Sequence, residues 1–330
     1  MTGLKIRRQA RAAPAIAALV AWIVSTPAIA HRPLYVSVDK GSTETFLTAI
    51  NTIGQVAGFS NSTAFIREPD GSFTEFALDG YGLWPTSISG DGWVAGFAFH
   101  GADEIAFVRD ADGDISTFSP AGATKAHATA INASHSIAGI VSDADMVLHG
   151  FVRAPDGAIT TFDPDGSLET VAAAINDAGA IAGSYYASGA YHGFIRDPGG
   201  TITSFDAPGA SNTHANAMND AGWIAGACED ATGQYGFLRS PDGAIVRFGS
   251  AAERLDAHAI NDNGVITGVS KGARGFIRKK NGNLVLFRVP GEKIRETSGA
   301  ALNDDGIVVG TYYQVTGYHV GKQVGFIRTP

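Results

Sequence analysis

The chain consists of short hydrophobic runs separated by Gly, Pro, Asn and Asp. The runs are rich in Val, Ile, Thr and Phe, and none has the sustained spacing of an amphipathic helix. One stretch contains four such runs, at 201–205, 213–218, 223–227 and 235–239. The pattern therefore predicts an all-β protein built from short strands.

Two kinds of turn separate the predicted strands. In Asn219-Asp220-Ala221-Gly222 the Asn side chain can cap the turn, and the Gly can adopt the positive φ that closes it. The second kind is Pro-Asp-Gly, as at Pro155-Asp156-Gly157. Both kinds predict tight connections between neighbouring strands.

A phrase of the form Ile-Asn-turn-Gly-Ile-Ala-Gly recurs along the chain, and a Gly-Phe-Ile-Arg phrase follows each copy. Successive copies of the first phrase lie 38 to 44 residues apart. The first phrase is anchored at Asn51, Ser89, Asn132, Asn176, Asn219, Asn261 and Asn303, and the second at Phe65, Phe107, Phe151, Phe194, Phe237, Phe276 and Phe326. Seven anchors of each kind indicate seven structural units.

A third element, a strand that ends in Phe, recurs only six times, at Phe76, Phe118, Phe162, Phe205, Phe248 and Phe287. The seventh copy is missing after the last unit, but a similar run lies near the N-terminus at 34–39. Val38 stands 13 residues before Asn51, much as Phe205 stands 14 before Asn219. The first segment therefore supplies the strand that the last unit lacks, as in a closed ring.

Four-stranded units of about 42–43 residues match the blades of a β-propeller. A β-solenoid would have a shorter period, a linear array would need polar capping repeats, and a β-sandwich would not repeat its turns seven times. We predict a seven-bladed β-propeller of four-stranded blades, closed by the N-terminal strand, as a single domain over residues 31–330. In the fifth unit we group the four runs at 201–205, 213–218, 223–227 and 235–239.

Residues 1–30 have the features of a secretory signal peptide. Four basic residues precede an apolar run over 12–24, and Ala28-Ile29-Ala30 is an Ala-x-Ala cleavage signal. The apolar run is short for a membrane span, and no later stretch is long enough. We predict cleavage after Ala30, a secreted or periplasmic location, and no membrane span in the mature protein.

The mature chain is acidic. The first 30 residues carry four basic and no acidic residues, so residues 31–330 carry 20 basic and 32 acidic residues, a net charge of −12. Such a chain lacks the basic surface of a nucleic-acid-binding protein. The single cysteine, Cys228, cannot form an internal disulfide, and we expect it to be partly buried and unreactive.

The phrases His149-Gly150-Phe151-Val152-Arg153 and His192-Gly193-Phe194-Ile195-Arg196 precede a Pro-x-Gly turn and an Ile-Thr-x-Phe-Asp strand. In this respect the mature chain resembles the bacterial extracellular HAF repeats, named for a His-Ala-Phe tripeptide. His stands two before Phe in two units and Ala precedes Phe in two others, so no unit has the whole tripeptide. The resemblance implies export and repeat architecture, and no catalytic activity.

Residues that recur in every unit are best explained as scaffold. The Phe of the second phrase is expected to fill the space between units. The Arg that follows it could form a basic ring for an anionic ligand, but we expect it to pair with the Asp of the neighbouring turn. The Asn-Asp turns offer too few oxygen ligands for calcium, and no catalytic motif is present. We therefore predict neither metal nor cofactor.

One pattern is specific to two units. Tyr-Tyr-x4-Tyr-His occurs in units four and seven, and Phe97, Phe99 and His100 form a weaker echo in unit two. We place these residues in the loop between the third and fourth strands of the grouping above, where aromatic rings with hydroxyl groups suit sugars or protein partners. The alternative is that these tyrosines pack against each other. The candidate ligand-binding residues are Tyr185, Tyr186, Tyr191, His192, Tyr312, Tyr313, Tyr318 and His319.

The sequence thus predicts an exported, monomeric binding or interaction module whose ligand is an extracellular glycan or protein. The alternative is a secreted polysaccharide hydrolase or lyase, because a pair of carboxylates in a propeller cavity could perform such chemistry. An enzyme would need two acids that converge near the channel. The candidates outside the repeat turns are Asp103, Glu104, Asp143, Asp145, Glu229 and Asp230.

Overall fold

The computed structural model of the protein describes residues 33–41, 44–317 and 320–330. These residues form strands and no helix, so the predicted all-β class is confirmed, and none of them forms a helix that could cross a membrane. The predicted signal peptide lies outside the described residues. The strands are β1 Leu34–Val38, β2 Thr45–Ile50, β3 Val56–Ser60, β4 Thr63–Arg67, β5 Phe73–Phe76, β6 Gly82–Ile88, β7 Val94–His100, β8 Asp103–Arg109, β9 Ile115–Phe118, β10 Lys125–Ile131, β11 Ile137–Ser142, β12 Leu148–Arg153, β13 Ile159–Phe162, β14 Glu169–Ile175, β15 Ile181–Ala187, β16 Ala190–Arg196, β17 Ile202–Phe205, β18 Asn212–Met218, β19 Ile224–Asp230, β20 Gly233–Arg239, β21 Ile245–Phe248, β22 Asp256–Ile260, β23 Ile266–Ser270, β24 Arg274–Arg278, β25 Leu284–Phe287, β26 Ile294–Leu302, β27 Val308–Gly317 and β28 Val320–Thr329.

Consecutive strands pair antiparallel in groups of four, from β2–β5 in unit 1 to β22–β25 in unit 6, and unit 7 consists of β26, β27, β28 and β1. One parallel bridge, between Lys125 and Glu104, joins the sheets of units 2 and 3. The described strands therefore form seven four-stranded units. The predicted grouping of unit 5 is wrong by one strand: β17 pairs with β16 of the preceding unit, because the short turn after Arg196 folds it back as a hairpin.

The N-terminal strand closes the ring. β1 pairs with β28 along its whole length, and Val38 lies opposite Gly325 as Phe205 lies opposite Gly193. A second link is the hydrogen bond from Asn303 Nδ2 to the carbonyl oxygen of Asn51, at 3.3 Å, which joins the inner strands of units 7 and 1. The predicted closure by residues of the first segment is confirmed.

The repeat Asn has a role in addition to the predicted turn. Asn219 Oδ1 accepts the N–H of Trp223 at 2.9 Å, which closes the turn. Its Nδ2 donates to the carbonyl oxygen of Asn261 in the next unit at 3.0 Å, and Asn261 donates in the same way to Asn303. These side chains are buried, so each bond also satisfies polar groups that water does not reach.

A β-bulge interrupts the first strand of every unit, three residues before the repeat anchor. The extra residue directs its side chain to the next unit. Thr129 Oγ1 donates to the carbonyl oxygen of Ala172 at 2.8 Å, and His258 Nδ1 lies 3.0 Å from that of Gly299. The bulges therefore add a second set of polar links between units.

The Phe of the second phrase fills the space between units, as predicted. Phe194 is fully buried, and its ring packs edge-on against Phe162 of unit 3 with the centroids 5.9 Å apart. A side chain on Gly183 would clash with the carbonyl of Val171 and meet the Phe194 ring at 2.8 Å. Gly is therefore required where the bulged first strand and this ring meet. Cys228 is fully buried in the corresponding layer of unit 5.

The Arg of the second phrase does not pair with a turn aspartate, contrary to expectation: the ion pairs of the described residues include none of these arginines. The guanidinium carbon of Arg196 instead lies 5.0 Å from the ring centroid of Phe162, and Nη1 donates to the carbonyl oxygen of Asp197. Six of the seven repeat arginines are stacked in this way on the preceding unit and so connect neighbours. The same stacking joins Arg109 to Phe76, Arg153 to Phe118, Arg239 to Phe205, Arg278 to Phe248 and Arg328 to Phe287.

Candidate functional site

The ring has two sides, because each unit ends in turns at both edges. The repeat-Asn turns between first and second strands lie at one edge. Since consecutive strands are antiparallel, the hairpins between second and third strands lie at the other edge. We call these sides the turn face and the hairpin face. In unit 4 they carry the turn after Asn176 and the Ser188-Gly189 hairpin.

A cavity of about 470 Å³ opens at the centre of the turn face, lined by the inner strands and repeat turns. Its lining contains carboxylates and, among the described residues, neither Lys nor Arg. The carboxylates belong to consecutive units and form one row. They are Asp177, Asp220, Asp262 and Asp304.

The carboxylates of this row accept hydrogen bonds from backbone amides. Asp220 Oδ1 accepts the N–H of Asp177 at 2.8 Å, and Asp262 Oδ1 accepts that of Asp220 at 2.9 Å. Burial raises the pKa of Asp220, and the charges of Asp177 and Asp262 raise it further. No group of three or more His, Cys, Asp or Glu within the described residues is arranged to hold a metal. The row therefore contributes contacts between units.

The predicted site residues of unit 4 lie in strands rather than in a loop. Tyr185 and Tyr186 belong to β15, and Tyr191 and His192 to β16. The register sets Tyr185 opposite His192 and Tyr186 opposite Tyr191. Because side chains alternate along a strand, the two adjacent tyrosines point to opposite sides of the sheet. The predicted loop location is therefore wrong.

Tyr185 is a packing residue: it is buried, and its hydroxyl donates to Ser204 Oγ on the outer strand at 2.9 Å. Tyr186 and Tyr191 are partly exposed, with ring centroids 5.0 Å apart. The Tyr191 ring also lies 4.5 Å from the imidazole of His214 in unit 5. We call Tyr186, Tyr191 and His214 the tyrosine cluster.

The tyrosine cluster has an acidic neighbour. The hydroxyl of Tyr191 lies 3.4 Å from Glu169 Oε2, and its backbone N–H donates to Asn212 Oδ1 at 3.0 Å. Burial, followed by the charge of Glu169, raises the pKa of Tyr191. The phenol is therefore neutral at physiological pH and can donate a hydrogen bond.

His192, on the third strand, contacts the aspartate that follows the outer strand of its unit. Its Nδ1 lies 2.9 Å from Asp206 Oδ1, and the equivalent His149 of unit 3 lies 2.6 Å from Asp163 Oδ2. His149 also approaches Asp143, at 3.3 Å. Only these two units combine a His two before Phe with an Asp after the outer-strand Phe. The pairing links the third strand to the fourth.

The predicted residues of unit 7 are only partly described. Tyr312 is buried in β27, and its hydroxyl lies 3.0 Å from Ser37 Oγ. Tyr313 is half-buried opposite Gln323. Tyr318 and His319 lie outside the described residues. Units 5 and 6 separate this set from that of unit 4, so the candidate residues form two sites rather than one.

A larger aromatic group, of which the sequence pattern had indicated only Phe97, lies on the hairpin face of units 1 to 3. Phe46 stacks on Phe59 at 4.8 Å between centroids, and Phe59 lies 4.3 Å from Trp84 of the next unit. Trp84 stacks on Phe97 at 5.7 Å, and Phe97 on His127 of unit 3 at 4.1 Å. We call these five residues the aromatic arc. Trp84 is its most exposed member, at 37%.

The register of the repeat explains how the arc forms. Phe46, Trp84 and His127 each stand five residues before the repeat anchor, near the hairpin-face end of the first strand. Phe59 and Phe97 lie opposite the first two on the second strand. Comparison of this one position across units would have shown the signal in the sequence. The other units hold Val171, His214, Asp256 and Ser298 there.

Charged side chains flank the arc at unit 3. Glu104 accepts hydrogen bonds from Lys125 Nζ at 3.0 Å and from His127 Nε2 at 2.5 Å. Burial acts to raise the pKa of Glu104, but these two hydrogen bonds outweigh it and hold the pKa below its usual range. The arc therefore ends in an ionised carboxylate that lies between Lys125 and His127.

An apolar cavity adjoins this end of the arc. It has a volume of about 240 Å³ and is lined by His127, Ile140, Leu148 and the stem of Lys125. Met146, at the tip of the neighbouring hairpin, forms one wall and is 83% exposed. Apolar surface thus continues from the aromatic rings onto unit 3.

The acids proposed for catalysis do not converge on the central cavity, since none of them lines it. Glu104 is paired with Lys125, and Asp143 with His149. Asp230 is paired with Arg247 at 2.6 Å, and hydrogen bonds from Thr232 and Arg247 hold its pKa far below the usual range. Each of these three acids is thus paired with a basic side chain.

No family model and no curated protein sequence matches the chain. Solved structures show the class of fold, a β-propeller. A chain of virginiamycin B lyase from Staphylococcus aureus aligns with a TM-score of 0.63 at 14% identity, covering 91% of this chain and 99% of that one. A streptogramin B lyase aligns with a TM-score of 0.64 at 12% identity, over 90% and 98% of the two chains.

A chain of a mitotic checkpoint complex is similar to the same extent, with a TM-score of 0.60 at 14% identity over 94% of this chain and 100% of that one. A protein described as a TolB of Agrobacterium tumefaciens aligns at 0.52 and 11% identity, over 74% and 91%. These proteins share the fold with the chain. Identities this low leave function to be argued from the site, because one fold carries many functions.

Proposed function

We propose that the protein is an exported β-propeller that binds an extracellular glycan on its hairpin face. The observation that supports this is the aromatic arc, in which Trp84 is exposed on that face. Aromatic faces pack against the apolar faces of sugar rings, and neighbouring polar groups bind the sugar hydroxyls. Here His127, Glu104 and Lys125 are the polar neighbours of the rings.

The export part of the proposal rests on residues 1–30, with their basic start, apolar run and Ala-x-Ala site. The HAF-like phrases support the same location, because that family is extracellular. The net charge of −12 over residues 31–330 disfavours polyanionic ligands. An uncharged glycan fits both the location and the charge.

The test compares two tryptophans with the same exposure. Trp84 and Trp223 are both 37% exposed. Trp223, however, lies at the turn face, directly after the repeat turn of unit 5. Affinity for cellulose, xylan, β-mannan and α-1,4-glucan would be measured by affinity electrophoresis and calorimetry. We expect Trp84→Ala to weaken binding about 10- to 100-fold, the effect of losing roughly 1–3 kcal/mol from an aromatic anchor, and Trp223→Ala to leave it unchanged.

Failure to bind any of these polysaccharides, or equal loss in both variants, would contradict the proposal. Binding to an extracellular protein through Trp84, with no affinity for glycans, would show that the ligand is a protein, the other ligand class that the sequence predicts. Thermal unfolding of both variants controls for the fold.

A second candidate function is polysaccharide cleavage. In the contact of His127 Nε2 with Glu104, at 2.5 Å, an imidazole and a carboxylate lie side by side at the end of the arc. The similar lyase structures show that a propeller of this general shape can carry an enzyme. Release of reducing ends or unsaturated products from the same polysaccharides, lost in Glu104→Gln with binding retained, would establish it. Binding without product release would exclude it for these substrates.

A further inference from the structure

The hairpin face carries a second aromatic group beyond the arc. The arc extends from Phe46 in unit 1 to His127 in unit 3. The tyrosine cluster lies on the same face of units 4 and 5, where His214 occupies the register position that Phe46, Trp84 and His127 occupy in their own units. Units 1 to 5 therefore each carry rings near this face, unit 4 through Tyr186 and Tyr191 because it holds Val171 at the register position. In units 6 and 7 this position holds Asp256 and Ser298.

Exposed apolar side chains adjoin each group. Leu168, immediately before the first strand of unit 4, is 64% exposed, and its N–H donates to the carbonyl oxygen of Tyr186 at 2.8 Å. Met146 lies at the neighbouring hairpin of unit 3. Carboxylates accompany both groups, since Glu104 contacts His127 and Glu169 contacts Tyr191.

The shape of this surface discriminates between ligands. A site for a single terminal sugar is a pocket that encloses the ligand. The rings here are distributed along five consecutive units of the rim, and the cavity beside Lys125 is the recess that adjoins them. A ligand that contacts both groups must extend along the rim. The adjacent carboxylates can accept hydrogen bonds from hydroxyls and repel an anionic chain.

We infer that the hairpin face binds an internal segment of a linear, uncharged polysaccharide, with one set of sugars on the aromatic arc and another on the tyrosine cluster. This inference rests on the proposed glycan-binding function and specifies its ligand class. Tyr191 contributes through its ring in the tyrosine cluster, and Trp84 through its ring in the arc. The two groups act as subsites along one chain.

The experiment uses the purified exported protein and a length series of oligosaccharides from whichever of cellulose, xylan, β-mannan or α-1,4-glucan binds. We expect the affinity to rise with chain length until both groups are spanned. Trp84→Ala and Tyr191→Ala should each lower the affinity for long chains at least about tenfold, whereas the shortest ligand that binds should respond to only one of them. Tyr191→Phe keeps the ring and should retain most of the affinity.

Equal affinity for a monosaccharide and a long chain would overturn the inference and leave glycan binding intact. So would a Tyr191→Ala variant that folds normally and binds long chains as tightly as the wild type. Absence of binding to every polysaccharide would instead refute the proposed function itself. Trp223→Ala on the turn face serves as the matched control, and thermal unfolding excludes loss of the fold.

Discussion

The hydroxyl of Tyr312 lies 3.0 Å from Ser37 Oγ, although 275 residues separate the two in sequence. Tyr185 and Ser204 make the same contact in unit 4, at 2.9 Å. In both units the buried first tyrosine of the Tyr-Tyr pair is bound to the outer strand of its own sheet. In unit 7 that strand comes from the other end of the chain, so this contact helps to fasten the ring.

Removal of β1, residues Leu34–Val38, should open the ring. Strand β28 would lose its outer neighbour, and an unpaired edge promotes aggregation. We expect a lower melting temperature and a loss of monodispersity in light scattering. Val36→Thr, a change at an exposed position of the same strand, is the matched control. Unchanged stability and monodispersity after the deletion would contradict closure by this strand.

Asn303→Ala should destabilise the protein by about 1–3 kcal/mol, because it leaves buried backbone groups without partners. The side chain joins units 7 and 1 through Asn51 and also binds the N–H of Ile307. Asn281→Ala removes a turn bond at an exposed position and should cost less than half as much. Urea unfolding of the two variants measures the difference, and equal costs would refute the role of the repeat Asn between units.

The stacking of Arg196 on Phe162 should be measurable as a coupling between units 3 and 4. We expect Arg196→Met and Phe162→Leu to be non-additive by roughly 0.5–2 kcal/mol in a double-mutant cycle of unfolding free energies. Additive effects would show that the guanidinium contributes only through its bond to the Asp197 carbonyl.

Stability should depend on pH through His149. The hydrogen bond to Asp163 is the main cause that raises the pKa of His149 above its ordinary value of 6.5, and the bond to Asp143 adds to it. The protonated ring therefore stabilises the fold fully below the unfolded pKa, and this contribution is lost as the pH rises through the folded pKa. His149→Gln should be destabilised more at about pH 5.5 than at about pH 8.5, by up to about 1 kcal/mol.

The partner variant tests the same ion pair. Asp163→Asn should show the same difference between the two pH values, and the double variant should show little more than either single one. A His149→Gln cost that does not change with pH would mean that the pair is not ionised in the folded protein.

Phe194→Ala should cost roughly 3–5 kcal/mol of stability, because the ring is fully buried between units 3 and 4. Tyr186→Ala should cost much less, since its ring is partly exposed beside Tyr191. Thermal unfolding of the two variants separates a packing ring from a surface ring. Equal destabilisation would mean that Tyr186 belongs to the core and not to a binding surface.

The sequence by itself determined the repeat, the strands, the turns and the closure of the ring. Some of these features depend on local chemistry, such as the Asn-capped turn at Asn219. The closure followed from the number of copies of each repeated element, because the last unit lacks one strand. Local patterns specify local structure because backbone preferences and side-chain alternation act within a few residues. The buried Phe194 layer followed from the same regularity.

Only the tertiary structure decided what lies between units. Arg196 stacks on a ring from the preceding sheet, and Trp84 meets Phe59 across a unit boundary. Such contacts depend on how neighbouring sheets pack against each other. The sequence of a single repeat does not specify that packing. The adjacent Tyr185 and Tyr186 show the same limit, because the sheet sends one into the interior and the other to the surface. The register position that Phe46, Trp84 and His127 share can be read from the sequence. That their rings form one surface was decided only by the assembly of the units, since they come from different repeats.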